Sequence, residues 1–206
     1  LNANQHEAWC WLGMSFQNRK EPQQALGYLA HGLQLKPDYQ AGWNMLGGVY
    51  QSVGRQHEAE GCFMRALAIA PDQAYAWNNL ANTYLDALLL EEAERVMHVA
   101  IDLAPDEPNL WNNLGNILSA ARRLKDAQEA YRHVLEVAPD YRPVLANLAG
   151  VESHFGNLDR AIELLRIIID SPQAWTNILF FANYHPDWSG EQVFALLHQV
   201  CLWSWP

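Results

Sequence analysis

The sequence predicts an all-α solenoid built from antiparallel helix pairs, and three observations carry that prediction. A Trp-led stretch returns every 34 residues, from Trp9 to Gly42-Trp43-Asn44-Met45-Leu46-Gly47, Ala76-Trp77-Asn78-Asn79-Leu80-Ala81 and Leu110-Trp111-Asn112-Asn113-Leu114-Gly115. An alanine recurs sixteen residues past each origin, at Ala25, Ala59, Ala93, Ala127 and Ala161, the fifth origin being Leu145. Pro-Asp closes the units at Pro37-Asp38, Pro71-Asp72, Pro105-Asp106 and Pro139-Asp140.

The first helix of each unit follows from its spacing. Three residues past the origin stand Leu12, Leu46, Leu80, Leu114 and Leu148, and four past it the small residues Gly13, Gly47, Ala81, Gly115 and Ala149. Seven past it come Phe16, Tyr50, Tyr84 and Leu118, and then Glu152, which breaks the rule. Offsets of zero, three, four and seven form one face of a helix, so these positions are the expected core. Glu152 is expected either to be exposed in an altered fifth unit or to be paired with a nearby Arg.

Short polar turns such as Gln17–Glu21, Ser52-Val53-Gly54-Arg55 and His154-Phe155-Gly156-Asn157 lead into the second helix. Four residues past its alanine marker comes a bulky side chain, Leu29, Phe63, Met97, Tyr131 or Leu165. A small residue facing a large one allows two helices to approach closely without a void. Proline cannot continue the helix and pushes its predecessor out of the helical region, so each pair ends there. The units are therefore placed at about 6–38, 39–72, 73–106, 107–140 and 141–172.

After Ser171-Pro172 the period slips. Ala174-Trp175-Thr176-Asn177-Ile178-Leu179 opens a sixth first-type helix, and no second helix with the alanine marker follows it. Ser189 with Gln192 reads as a capping box that starts one more helix, with Val193, Leu196, Leu197 and Val200 as its apolar stripe. Residues 173–206 thus read as a cap or linker. The chain starts at Leu1 and ends in Leu202-Trp203-Ser204-Trp205-Pro206, and both ends look like cuts from something longer.

Composition narrows the function. The net charge is −10 and no basic run exceeds Arg122-Arg123-Leu124-Lys125, so nucleic acid and anionic membrane surfaces are poor partners. No apolar run reaches the length of a membrane span. Cys10, Cys62 and Cys201 have neither metal spacing nor the layout of a disulfide framework, which points to reduced thiols in the cytoplasm. No metal or cofactor is expected, and no nucleophile–base constellation marks an enzyme. His185-Pro186-Asp187 is read as a turn, since the proline separates the two side chains. His31, His57, His98, His133, His154 and His198 lack ligand spacing.

The candidate site lies on the side of the first helices turned away from the core. Offsets one, two and five point roughly 100–200° away from it. They carry Asn44, Asn78 and Asn112; Asn79, Asn113, Asn147 and, after the slip, Asn177; and Asn82 and Asn116. Asparagine costs up to about 0.7 kcal/mol in a helix relative to alanine, so its recurrence needs a reason. One reading is a ladder of amides that pairs with the backbone of an extended peptide. The other is inheritance by duplication, or amides that bond one another between repeats. Trp11 and Met45 occupy offset two in the first two units and interrupt the row there.

The Trp, Leu, Gly, Tyr, Ala, Phe, Ala and Pro markers resemble the tetratricopeptide repeat over about residues 6–172. That resemblance implies a right-handed superhelix whose first helices line the concave side, a role in binding protein or peptide segments, and possible homodimerisation through the open ends. The faces lack the Lys and Arg with which chaperone-tail clamps of this family hold a terminal carboxylate. The Asn-Leu-Gly/Ala-Asn signature, with Asn177-Ile178-Leu179-Phe180 and Asn183-Tyr184-His185-Pro186-Asp187, resembles the repeat arm of O-linked N-acetylglucosamine transferases and SPINDLY-type relatives. It implies a substrate-recognition arm whose catalytic lobes are absent from this chain. The alternative is a free-standing assembly scaffold.

Overall fold

A computed structural model describes residues 5–168 and 171–192. Eleven helices lie among them: α1 Gln5–Asn18, α2 Pro22–Leu35, α3 Gln40–Ser52, α4 Gln56–Ile69, α5 Ala74–Asp86, α6 Leu90–Leu103, α7 Pro108–Ala120, α8 Leu124–Val137, α9 Pro143–His154, α10 Leu158–Ile167 and α11 Pro172–Asn183. The class is the expected one, all-α with helices in pairs. The chain divides into two compact units, Leu1–Asn113 and Leu114–Pro206, and α7 crosses the division.

In the first unit α1 packs on α2, α3 on α4 and α5 on α6, while α2 also meets α3 and α4 meets α5. In the second, α9 packs on α8 and α10, and α10 on α11. The alanine markers Ala25, Ala59, Ala93, Ala127 and Ala161 are fully buried, as are Leu29, Phe63, Met97 and Leu165 across from the small residues. Gly47 shows why size matters there. A Cβ added to it would lie 2.6 Å from the Phe63 ring. Glycine stands opposite Leu29, Phe63 and Tyr131 (Gly13, Gly47 and Gly115), and alanine opposite Met97 and Leu165 (Ala81 and Ala149).

The core face is wider than the markers indicate. One residue before the origin and six after it are also buried, as in Gly42 and Val49, Ala76 and Thr83, Leu110 and Ile117, Val144 and Val151. At Gly42 the preceding pair supplies the cover, since an added Cβ would lie 3.0 Å from Leu33 and 3.2 Å from Cys10. In α1, Leu12, expected in the core, is 39 % exposed and Trp11 beside it is 61 % exposed.

The Trp markers are half-buried rather than central. The indole N–H of Trp43, Trp77 and Trp111 donates to the carbonyl of Pro37, Pro71 and Pro105 at 2.8, 2.7 and 2.7 Å. The Trp and Pro markers are therefore one device. The proline ends a helix, with Lys36, Ala70 and Ala104 before it drawn into extended or near-extended geometry, and the indole satisfies the carbonyl left exposed.

The turns within pairs share a left-handed residue eleven past the origin: Lys20, Gly54, Leu88, Arg122 and Gly156, with φ of 61, 74, 59, 61 and 80°. The next amide, on Glu21, Arg55, Leu89, Arg123 and Asn157, donates five residues back to Phe16, Tyr50, Tyr84, Leu118 and Glu152, closing each first helix in the same way. Only two of the five are glycine. Leu88 is 76 % exposed, so its side chain contributes little that would offset its strain. Leu88→Gly is expected to raise stability by about 1 kcal/mol, read from the urea midpoint.

At the far end, Pro172 opens α11 instead of closing the pair before it. The buried residues Ala174, Ile178, Phe181 and Ala182 repeat the burial pattern with Trp175 as origin, which places Asn177 at offset two as expected. Ser189 Oγ accepts from the Gln192 amide at 3.3 Å and Gln192 Oε1 from the Ser189 amide at 2.7 Å, a reciprocal cap at the start of the next helix. The stripe Val193, Leu196, Leu197 and Val200 lies outside the described residues.

Candidate functional site

In the first unit the asparagines form a continuous chain. Asn112 Nδ2 donates to Asn113 Oδ1 at 3.4 Å, and Asn113 Nδ2 to Asn78 Oδ1 at 2.8 Å. Asn78 Nδ2 then donates to Asn79 Oδ1 at 3.4 Å, and Asn79 Nδ2 to Asn44 Oδ1 at 3.1 Å. Offset two of one pair thus reaches offset one of the pair before it, so the amides join α7, α5 and α3. This is the inter-repeat bonding weighed as the second reading, and it accounts for the recurrence of Asn on structural grounds. It does not consume the amides. Asn78 and Asn79 each use one N–H and one oxygen lone pair and keep one of each. Asn112, expected to face solvent, is only 8 % exposed.

A second polar row runs beside the first. Gln17 Nε2 donates to Ser52 Oγ at 2.7 Å and Gln51 Nε2 to Asp86 Oδ2 at 3.0 Å, again from one first helix to the next. Between the two rows lie Gly48, where an added Cβ would meet nothing within 4 Å, and the half-buried Asn82. Sequence reading missed the second row because only its donor repeats, at Gln17 and Gln51, while the acceptor changes from Ser52 to Asp86.

In the second unit Asn116 and Asn147 line one recess of about 280 Å³ with Ser119, Gly150 and His154. Tyr131 Oη donates to Asn116 Oδ1 at 2.8 Å. Burial pushes the Tyr131 phenol far above its usual range, so the hydroxyl remains a donor. Asn177 is exposed on α11, on the same side as Phe180, whose ring lies 4.8 Å from that of Tyr184.

Glu152 is buried and paired, which resolves the sequence alternatives. Its side chain is 3 % exposed and accepts from Asn157 Nδ2 at 2.7 Å, Gln128 Nε2 at 2.8 Å and an Arg132 guanidinium nitrogen at 3.1 Å. Burial alone pushes this carboxyl up. The hydrogen bonds from Asn157, Gln128 and Arg132, with the Arg132 charge, outweigh it and hold the group below the usual carboxylate range.

His185-Pro186-Asp187 is a turn, as read. The Asp187 amide donates to His185 Nδ1 at 3.2 Å, and His185 Nε2 lies 3.2 Å from Asp159 of α10. Both ring nitrogens are committed, so the imidazole ties the turn to α10 and has no lone pair for base chemistry. Burial pushes the Cys62 thiol up to about 11, with Glu58 adding to it, and leaves it an unreactive thiol. Among the described residues no group of three His, Cys, Asp or Glu is placed to hold a metal, and no helix is long and apolar enough to cross a membrane.

These features define the class: a helical-repeat protein whose first helices carry an amide-bearing face and a second, polar row. Tetratricopeptide-repeat family models match residues 41–73, 62–95 and 118–177, and the chain is a tetratricopeptide-repeat protein. No curated protein matches it. Among solved structures it is similar to PilW, described as a widely conserved type IV pilus biogenesis factor, at 19 % identity and a TM-score of 0.84, over 97 % of this chain and 94 % of that one. PilF of Pseudomonas aeruginosa aligns at 18 % identity and a TM-score of 0.79, over 97 % and 91 %. YrrB, described as a TPR protein with an unusual peptide-binding site, aligns at 18 % and 0.62, over 87 % and 92 %. At these identities the likeness is one of fold.

Proposed function

We propose that the chain is a non-catalytic interaction scaffold that holds extended protein segments along the amide-bearing faces of its first helices. The observation that carries this reading is the amide chain from Asn112 to Asn44. Bonded to one another, the amides are held in fixed orientation, yet Asn78 and Asn79 each retain one donor and one acceptor. An extended peptide backbone offers the same alternation, so pairing needs no particular side chains. The absence of Lys and Arg from these positions suits a neutral backbone better than a terminal carboxylate. A peptide-binding site in YrrB, a structural neighbour, adds support by analogy of fold. Buried thiols at Cys10 and Cys62 suit the reducing cytoplasm.

Replacing Asn79, Asn113 and Asn147 together by Ala is expected to weaken binding of a dodecapeptide selected from a displayed library at least tenfold, read by fluorescence anisotropy. Because Asn79 and Asn113 also bond between pairs, stability should fall by about 1 kcal/mol for each. Unchanged affinity would overturn the proposal.

The second reading, an arm of a SPINDLY-like glycosyltransferase, rests on the wording of residues 177–189. None of the relatives named above is described as a glycosyltransferase, and the scaffold reading needs nothing beyond the repeats. Sequencing the gene past the codon for Pro206 decides between them.

A further inference from the structure

We propose that the recess between α9 and the part of α7 from Leu114 onward is a specificity pocket for a side-chain carboxamide, Gln or Asn, of the bound segment. The proposal rests on the peptide-binding reading and goes beyond it by assigning a side-chain preference. The recess holds about 280 Å³, smaller than a typical ligand cavity and suited to one side chain. Its polar lining consists of Asn116, Ser119, Asn147, His154 and the Tyr131 hydroxyl. No Lys, Arg, Asp or Glu lines it. A charged side chain entering it would lose water and gain no counterion, whereas a neutral polar group loses far less.

Orientation selects among neutral groups. Tyr131 donates to Asn116 Oδ1, which fixes that amide and leaves its Nδ2 hydrogens as donors. Ser119 Oγ supplies an acceptor. A strong acceptor bonded to donors is the complement, and a carboxamide carries both. The mouth is kept open by Gly150, where an added Cβ would meet nothing within 4 Å.

Two measurements test this. The first is titration with N-acetylglutaminamide, followed by the side-chain amide NMR signals of Asn116 and Asn147. These are expected to shift and to saturate, while the glutamate and lysine analogues leave them in place. Gly150→Leu, which fills the recess from an open position, should abolish the shifts with helicity unchanged. Tyr131→Phe keeps the ring but frees Asn116, and should erase the preference for the glutamine analogue. The second measurement is selection of dodecapeptides on the folded chain, which should enrich Gln or Asn at one position. Changing that residue to Glu should cost at least tenfold in affinity for the parent and little for the Gly150→Leu variant. No shift with N-acetylglutaminamide, or equal shifts with all three analogues, overturns the pocket. Clear amide shifts with no bound dodecapeptide would instead overturn the peptide-binding reading and leave the pocket standing.

Discussion

Gly115→Ala is expected to destabilise the protein by about 3 kcal/mol, the upper part of the range for overpacking a well-filled core. The added Cβ would fall inside contact distance of the Tyr131 ring, which is itself 2 % exposed and held by its bond to Asn116. Neither partner can yield cheaply, since the ring is enclosed and Gly115 sits on a helix backbone. The urea midpoint is the measurement. Gly115→Ala with Tyr131→Met should recover most of the loss, because the chain already combines Ala81 with Met97 at the same two positions. A single variant as stable as the parent would show that the opposing ring does not dictate the glycine.

Glu152→Gln is expected to cost about 2 kcal/mol at neutral pH. The carboxylate accepts from three donors, and an amide in its place would turn its own N–H groups against at least one of them. The pH dependence follows from the direction of its shift. Its folded value lies below the unfolded carboxylate value of about 4.3, so the stabilisation is present above that pH and is lost as pH falls through the folded value. The gap between parent and variant should therefore be constant from neutral pH down to about 5 and should close in more acidic solution. A gap that persists unchanged at acid pH would mean that the charge contributes nothing and shape alone is at stake.

Much of this protein was legible from spacing because each pair repeats the same local problem. The helix pairs, the alanine markers, the helix-ending prolines and the cap at Ser189 and Gln192 depend on residues within a few turns of one another. So does the register of α11 with Trp175 as origin. The candidate Asn positions were found for the same reason, as a periodic cost in helix propensity that required an explanation.

What spacing could not supply was which groups meet between pairs. The bond from Asn113 to Asn78 spans 35 residues, and the Gln51 to Asp86 bond does the same with an acceptor that differs from the Ser52 of the preceding bond. The buried positions one before and six after each origin carry no single residue type, as Gly42, Ala76, Leu110 and Val144 show, so spacing did not mark them. Glu152 looked like a broken rule because its partners come from α8 and from the turn after α9. Local periodicity determined the helices, their ends and the small-against-large packing, since these are settled by contacts close in the chain. Tertiary structure decided the amide chain, the buried carboxylate and the recess at Asn116, because each is assembled from groups that only packing of one pair on the next brings within hydrogen-bonding distance.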